Sequence, residues 1–316
     1  MVNFKQKTSL FVSVLLQNQP SYGGQAVIEG VMMKAPDGKM ALACRLPDAS
    51  IIIEKSDKPS YQMRYPILRL PILRGVAGFV ESMVSGMTML THSAELASQD
   101  EEGEAELSGW QTALAALLAV AMSVGLFIIL PTFIMRFISF ESLTGGSAII
   151  QNLLESLVRL LIFLSYVLVV STMKDIKRVF EYHGAEHKTI HCYEAGEELT
   201  SVNAARYSCL HPRCGTSFLL IVMVVSSLFF SLFGWPNLVQ RIIYRLLLLP
   251  VVAGISYEVL RFLARFESKS SFVKLLTRPG LELQRLTTRE PDLQQLEVAI
   301  AALKAILPEF QDETNE

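Results

Sequence analysis

The residues predict a mainly α chain: a polytopic α-helical membrane protein of about four spans, carrying a small cytoplasmic α+β portion. Three observations lead there. Of 316 residues, 51% are hydrophobic and only 18% charged, whereas soluble domains carry about 25% charge. The stretches between Glu106 and Arg136 and between Arg213 and Arg241 contain no charged residue, and each holds a run on the scale of the roughly 20 apolar residues a crossing needs. Basic residues gather in the intervening loop (Lys174, Lys177, Arg178, Lys188, Arg206 and Arg213), while "RFISFESLTGGSA" and "GWPNLVQ" are nearly free of them. By the positive-inside bias the loop and both termini are expected in the cytoplasm, in a multi-pass protein of the cell (plasma) membrane with the lipid bilayer as its partner. The net charge of -2 argues against a basic nucleic-acid binder. Four cysteines in a chain this long do not make a secreted disulfide framework.

In chain order, residues 1–22 form an N-terminal tail. Its "SLFVSVLL" run is short for a signal peptide and no small-residue cleavage site follows. Residues 23–66 are expected to be β-rich: "QAVIEGVMM", a "PDGK" turn, "MALACRL" and "SIIIEK" supply β-branched runs around a Pro-Asp-Gly turn. Residues 67–97 predict an amphipathic, interfacial helix, in which Gly75, Gly78, Ser82, Ser85 and Gly86 permit close helix contacts. Whether 72–90 cross the membrane or lie on it is left open, although Glu81 in mid-run argues against crossing. Residues 98–108 are an acidic linker.

Spans 1 and 2 are expected within 109–173, the second carrying Glu155 and Arg159 at i, i+4, where they can neutralise each other. A cytoplasmic histidine–cysteine loop occupies 174–216. Spans 3 and 4 fill 217–266, the last interrupted by Arg245, Glu258, Arg261 and Arg265. These charges read first as interfacial; the sharper alternative turns Glu258 into the bundle as a ligand or relay. Residues 267–316 hold a Pro/Gly-punctuated segment, then a helix opened by Pro291 and Asp292, with Leu293, Leu296, Ile300, Leu303 and Leu307 as its apolar stripe. Docking on the chain's own cytoplasmic portion is the first expectation for that stripe; a protein partner or a second copy of the chain is the alternative.

Chemistry concentrates in the loop. His183, His187, His191, Cys192, Cys209, His211 and Cys214 put four of the five histidines and three of the four cysteines between positions 183 and 214. "HGAEH" fits H-x-x-E-H, the inverted zinc-peptidase pattern. Two imidazoles one helical turn apart can ligate one ion, and the adjacent Glu186 can act as general base on a bound water. A divalent metal is therefore expected, zinc in first place, in a mononuclear site with an open position. On a straight helix His191 would lie about 12 Å along the axis from His183, beyond one shared ion. The completing ligand is expected from "HPRCG", as His211 or Cys214, with Arg213 steadying an anionic substrate or oxyanion.

Four blocks, "GGQAVIEGVMM" at 23–33, "YHGAEHK" at 182–188, "HPRCGTSF" at 211–218 and "PGLELQRLTTREPD" at 279–292, resemble the hallmark blocks of the domain-of-unknown-function 1385 family. These are multi-pass membrane proteins of bacteria and plastid lineages, labelled predicted metal-dependent enzymes. The resemblance runs from about residue 22 through nearly the whole chain. It implies a membrane protein with a metal site, in a plastid membrane if the chain is of that lineage, and supplies no substrate. It marks Glu29, His183, Glu186, His187, His211, Arg213 and Cys214, with Glu29 expected to reach the site as a ligand or as an acceptor behind one. A metal-dependent hydrolase, a non-catalytic assembly or scaffold factor with a structural metal, and a transporter are the three readings carried forward.

Overall fold

The computed structural model describes residues 22–57, 60–97, 109–137, 147–212, 214–234, 237–266 and 270–310. The tail before Tyr22, the acidic linker and Arg213 lie outside them. Four antiparallel strands, β1 (Gly23–Val27), β2 (Gly30–Lys34), β3 (Met40–Arg45) and β4 (Ile51–Ser56), form a meander in the order β1-β2-β3-β4. The stretch "QAVIEGVMM", expected as one strand, is a hairpin: Val27 pairs with Gly30 across a two-residue turn at Ile28–Glu29. Glu29 takes the left-handed conformation there (φ 53°), unusual for a residue with a Cβ. Its carboxylate is gripped by Arg178, with Nη2–Oε2 at 2.6 Å, and accepts from the Tyr182 hydroxyl at 3.3 Å. Gly30 follows because a Cβ there would run into the Ala43 carbonyl.

The central strands are buried on both sides, which explains their unbroken apolar runs. Alternate side chains, Val31, Met33, Ala41 and Ala43, face a core made with α5 (Lys174–Glu194) and α10 (Leu293–Ile306). The intervening ones, Val27, Met32, Met40, Leu42 and Cys44, pack with Leu96 of α1 (Leu73–Ala97). Asp292 starts α10 with a capping box to Gln295, satisfying two otherwise orphaned groups. Leu296, Ile300, Leu303 and Leu307 of the expected stripe are buried on this sheet; Leu293 turns outward. The stripe docks on the chain itself.

Among the described residues, three helices are long and apolar enough to cross a membrane, over Ala113–Met135, Ile149–Val170 and Val239–Leu263. The first comprises α2 (Gly109–Val124), a π-helical turn at Gly125–Ile129 and α3 (Leu130–Phe137); the second is α4 (Ala148–Val170) and the third α8 (Leu238–Phe266). The helix expected as the third of four spans, α7 (Gly215–Ser231), is apolar but only 17 residues long. Helix α1 is not among the membrane-length helices. It lies against α8, where a Cβ on Gly75 would meet Gly254 Cα at 2.9 Å, so the small residues serve a close helix crossing.

Several charges in these helices pair with one another or with neighbouring elements. Glu155 is fully buried and accepts from Thr132 Oγ1 at 2.7 Å, Arg245 Nη2 at 2.8 Å, Arg159 at 3.3 Å and Arg241 at 3.4 Å. Arg159 also donates from Nε to the Phe127 carbonyl at 2.9 Å, inside the π turn, where the looser spiral frees carbonyls for such partners. The carboxylate of Glu258 is held by Arg74 and the Ile72 N–H, which tie α1 to α8.

Candidate metal centre

Helix α5 runs unbroken through the "HGAEH" motif, so His183, His187 and His191 share a face as the i, i+4 spacing requires. The helix is buried over most of that stretch, and close approach is arranged by glycine. A Cβ on Gly184 would strike the Arg289 carbonyl and come to 3.2 Å from Cys209 Sγ. Its absence lets the segment after α9 (Ser271–Thr287) lie on α5, where the Arg289 N–H donates to the Phe180 carbonyl at 2.9 Å.

That segment orients the first imidazole. His183 Nδ1 meets the Thr287 carbonyl at 2.8 Å, leaving Nε2 3.2 Å from Cys214 Sγ. His187 repeats the arrangement: Nδ1 meets the Cys209 carbonyl at 2.5 Å and its side chain also interacts with Cys214. A carbonyl can only accept, so each Nδ1 carries the hydrogen and each Nε2 the lone pair. Donor atoms of His183, His187 and Cys214 lie within 4.8 Å of one another. Burial holds the His187 imidazole below its ordinary pKa, and the nearby His183 works the same way, against raising contributions from Cys214 and the Cys209 carbonyl. A neutral imidazole is the state that ligates.

Glu186, beside His187, is buried at 5% exposure. Loss of water pushes its carboxyl above the usual range, while His183, His211 and the Gly24 N–H pull it back. Gly24 is required at that spot: a Cβ would sit 3.0 Å from Glu186 Cδ and 2.6 Å from the Met32 carbonyl.

Of the two "HPRCG" candidates, Cys214 joins the His183/His187 pair. His211 lies elsewhere, with its ring centroid 4.6 Å from that of His191 and 5.6 Å from that of His187. Gln284 of α9 fixes the His211 backbone in both directions, accepting from its N–H at 2.8 Å and donating to its carbonyl at 2.8 Å. Glu29 lies on Arg178 and Tyr182, where it fastens the β1–β2 turn to α5, and Arg213 lies outside the described residues. Sequence reasoning did not single out Gly24, Cys209 O, Gln284 or Thr287. Gly24, Gln284 and Thr287 stand inside the quoted blocks, and their convergence on one point explains why those blocks go together.

A cavity of about 660 Å³ borders this region between the sheet, α1 and the ends of α7 and α8. Gly24 and Gly215 line it on the side of the cluster; Lys34 and Glu81, paired at 2.6 Å, and the rings of Phe79 and Phe218 line the rest.

The family model described as "Protein of unknown function (DUF1385)" matches residues 70–309. The "Uncharacterized protein YqhQ" of Bacillus subtilis (strain 168) is 37% identical over 301 residues, covering 91% of this chain and 92% of that protein. No solved structure matches the chain.

Proposed function

The chain belongs to the DUF1385 family, and from its geometry we propose that it is an integral membrane protein with a divalent-metal site at the cytoplasmic face, serving a metal-dependent hydrolase reaction. One observation carries the reading. Two histidines each spend Nδ1 on a backbone carbonyl and aim Nε2 at one cysteine sulfur. Metal-ligating histidines are held in this way, their second nitrogen fixed by an outer acceptor. The donor set, two nitrogens and a sulfur, suits zinc. Among the described residues this cluster offers three donors, and three protein ligands with one position left open is the catalytic rather than the structural pattern. That count favours the enzyme over the scaffold factor. Glu155, which a transporter would use as a pathway residue, is instead paired with Arg245, Arg241 and Arg159, so the transporter reading gains least support.

When bound, zinc would supply a Lewis acid that makes water acidic near neutral pH. The chain's own groups do the rest. His183, His187 and Cys214 would hold the ion, their outer partners preventing ring rotation. Glu186, shielded from bulk solvent and anchored by the Gly24 N–H, would accept the proton from a water admitted to the site. The adjoining cavity, apolar at its rings and polar at Lys34–Glu81, receives the substrate.

The packing, beside hydropathy, supports the reading of four crossings. The sheet precedes the first membrane-length helix, α5 follows the second and α10 follows the last, yet all three share one core. An even number of crossings must separate them. Helix α7 therefore counts as a span, although its 17 residues rise only about 25 Å against a core of about 30 Å. The basic loop supports reading this shared body, and both termini, as cytoplasmic. A cysteine introduced at exposed Val202 should react with an impermeant thiol reagent in inverted vesicles alone; labelling from the outside of intact cells contradicts the topology. For catalysis, Glu186→Gln should retain bound zinc and lose hydrolysis across a panel of ester, amide and phosphoester substrates presented in detergent or liposomes. Zinc loss from Glu186→Gln equal to that from His187→Ala would make Glu186 a ligand and remove the general base.

A further inference from the structure

His211 is not one of the residues grouped with Cys214. It has a company of its own. Donor atoms of His191, Glu194 and His211 lie within 4.8 Å of one another, and Glu194 Oε2 is 3.6 Å from His211 Nε2. His191 and Glu194 stand at i, i+3 on the last turn of α5, a spacing that puts both side chains on one face.

The outer contacts repeat the logic of the first cluster. His191 Nε2 meets the Leu210 carbonyl at 2.9 Å, so Nε2 carries the hydrogen and the lone pair resides on Nδ1. Its ring is stacked 13° from parallel on Tyr207 at 6.3 Å. The His211 ring is buried at 4% exposure and its backbone is clamped from both sides by Gln284. A surface histidine meeting a carboxylate by chance would have neither feature. We propose that His191, Glu194 and His211 form a second divalent-cation site beside the first, so that the chain binds two ions through different donor sets.

The difference in donors fixes the difference in chemistry. The first set contains a sulfur and selects zinc-like, softer ions; the second, two imidazoles and a carboxylate, accepts harder ions such as manganese or iron(II) as well as zinc. The rings of His187 and His211 are 5.6 Å apart, so the two sites are neighbours. Helix α5 supplies residues to both sets, and each is completed by one residue of "HPRCG". The three-residue step from His211 to Cys214 lets one turn serve two ions.

The second site does not depend on the first being catalytic, and cobalt(II) separates them by spectroscopy. Metal-stripped, detergent-purified full-length protein is titrated with cobalt(II), following bound metal by mass spectrometry and absorbance from the near ultraviolet to the visible. The expected result is two equivalents per chain, one of them giving a thiolate-to-cobalt charge-transfer band. His191→Ala/Glu194→Gln should bind one equivalent and keep that band, whereas Cys214→Ser should lose the band and still bind cobalt. Circular dichroism equal to wild type shows that each variant is folded, and Glu194→Asp should restore part of the second equivalent if the carboxylate ligates. A single equivalent in the wild type that carries the charge-transfer band, or full binding by His191→Ala/Glu194→Gln, overturns the second site while leaving the first. One equivalent without the band, abolished by His191→Ala/Glu194→Gln, supports the second site and overturns the first.

Discussion

Two buried polar clusters can be set side by side in this chain. Around Glu155, in the membrane-length helices, one carboxylate is enclosed by Arg245, Arg241, Arg159 and Thr132. Around Cys214, in the domain next to them, two imidazoles give their hydrogens to backbone carbonyls and turn their lone pairs toward one sulfur. In the first, opposite charges meet and the donors and acceptors answer one another. In the second, two imidazole nitrogens and a sulfur, all groups able to ligate a metal, converge within 4.8 Å of one another. The contrast separates a cluster whose charges pair with one another from one whose donors have the spacing a metal ion would use.

That contrast sets the size of what mutations should do. Breaking a buried ion cluster from one side leaves the partners' charges uncompensated, at a cost of about 3–5 kcal/mol. Glu155→Gln should therefore lower thermal stability of the metal-free protein in detergent by an amount of that order, whereas Cys214→Ser should leave the metal-free protein within about 1 kcal/mol of wild type. If the two variants lose similar stability without metal, the distinction between the clusters collapses.

His92 provides the small end of the scale. It pairs with Glu54 at 2.8 Å and Glu95 at 3.4 Å at a site where its side chain is 36% exposed. The hydrogen bond to Glu54, first, raises its pKa above the ordinary imidazole value, against partial loss of water. A raised value in the folded state means stabilisation fully present below the unfolded pKa of about 6.5 and lost as pH rises through the higher folded value. Solvent screening keeps it toward the low end of about 0.2–1 kcal/mol. The difference in melting temperature between wild type and His92→Ala should be largest near pH 5.5 and vanish by pH 9; a constant difference would assign His92 a packing role.

How far the sequence spoke depended on the distance over which each interaction acts. The His183/His187 pair was legible because helical periodicity alone brings i and i+4 together. So was the docking of α10, since its cap and stripe are local. The β1–β2 turn was hidden because Ile28–Glu29 carries no glycine or asparagine, and its strained residue is compensated by Arg178, 149 positions away. Glu155 does pair with Arg159, four residues on, as the spacing suggested, but its bidentate partner, Arg245, lies 90 positions away. The division of "HPRCG" between two clusters was equally hidden. It depends on Cys214 capping α7, where its sulfur accepts from the Thr216 N–H, and on Gln284 turning His211 the other way.

The central claim is that His183, His187 and Cys214 hold a divalent cation, and metal content tests it most directly. Full-length protein purified in detergent after growth with zinc should carry the ion. His183→Ala/His187→Ala, with unchanged helical circular dichroism, should carry one equivalent fewer per chain. Equal zinc in the two proteins, or none in the wild type after reconstitution, would contradict the account.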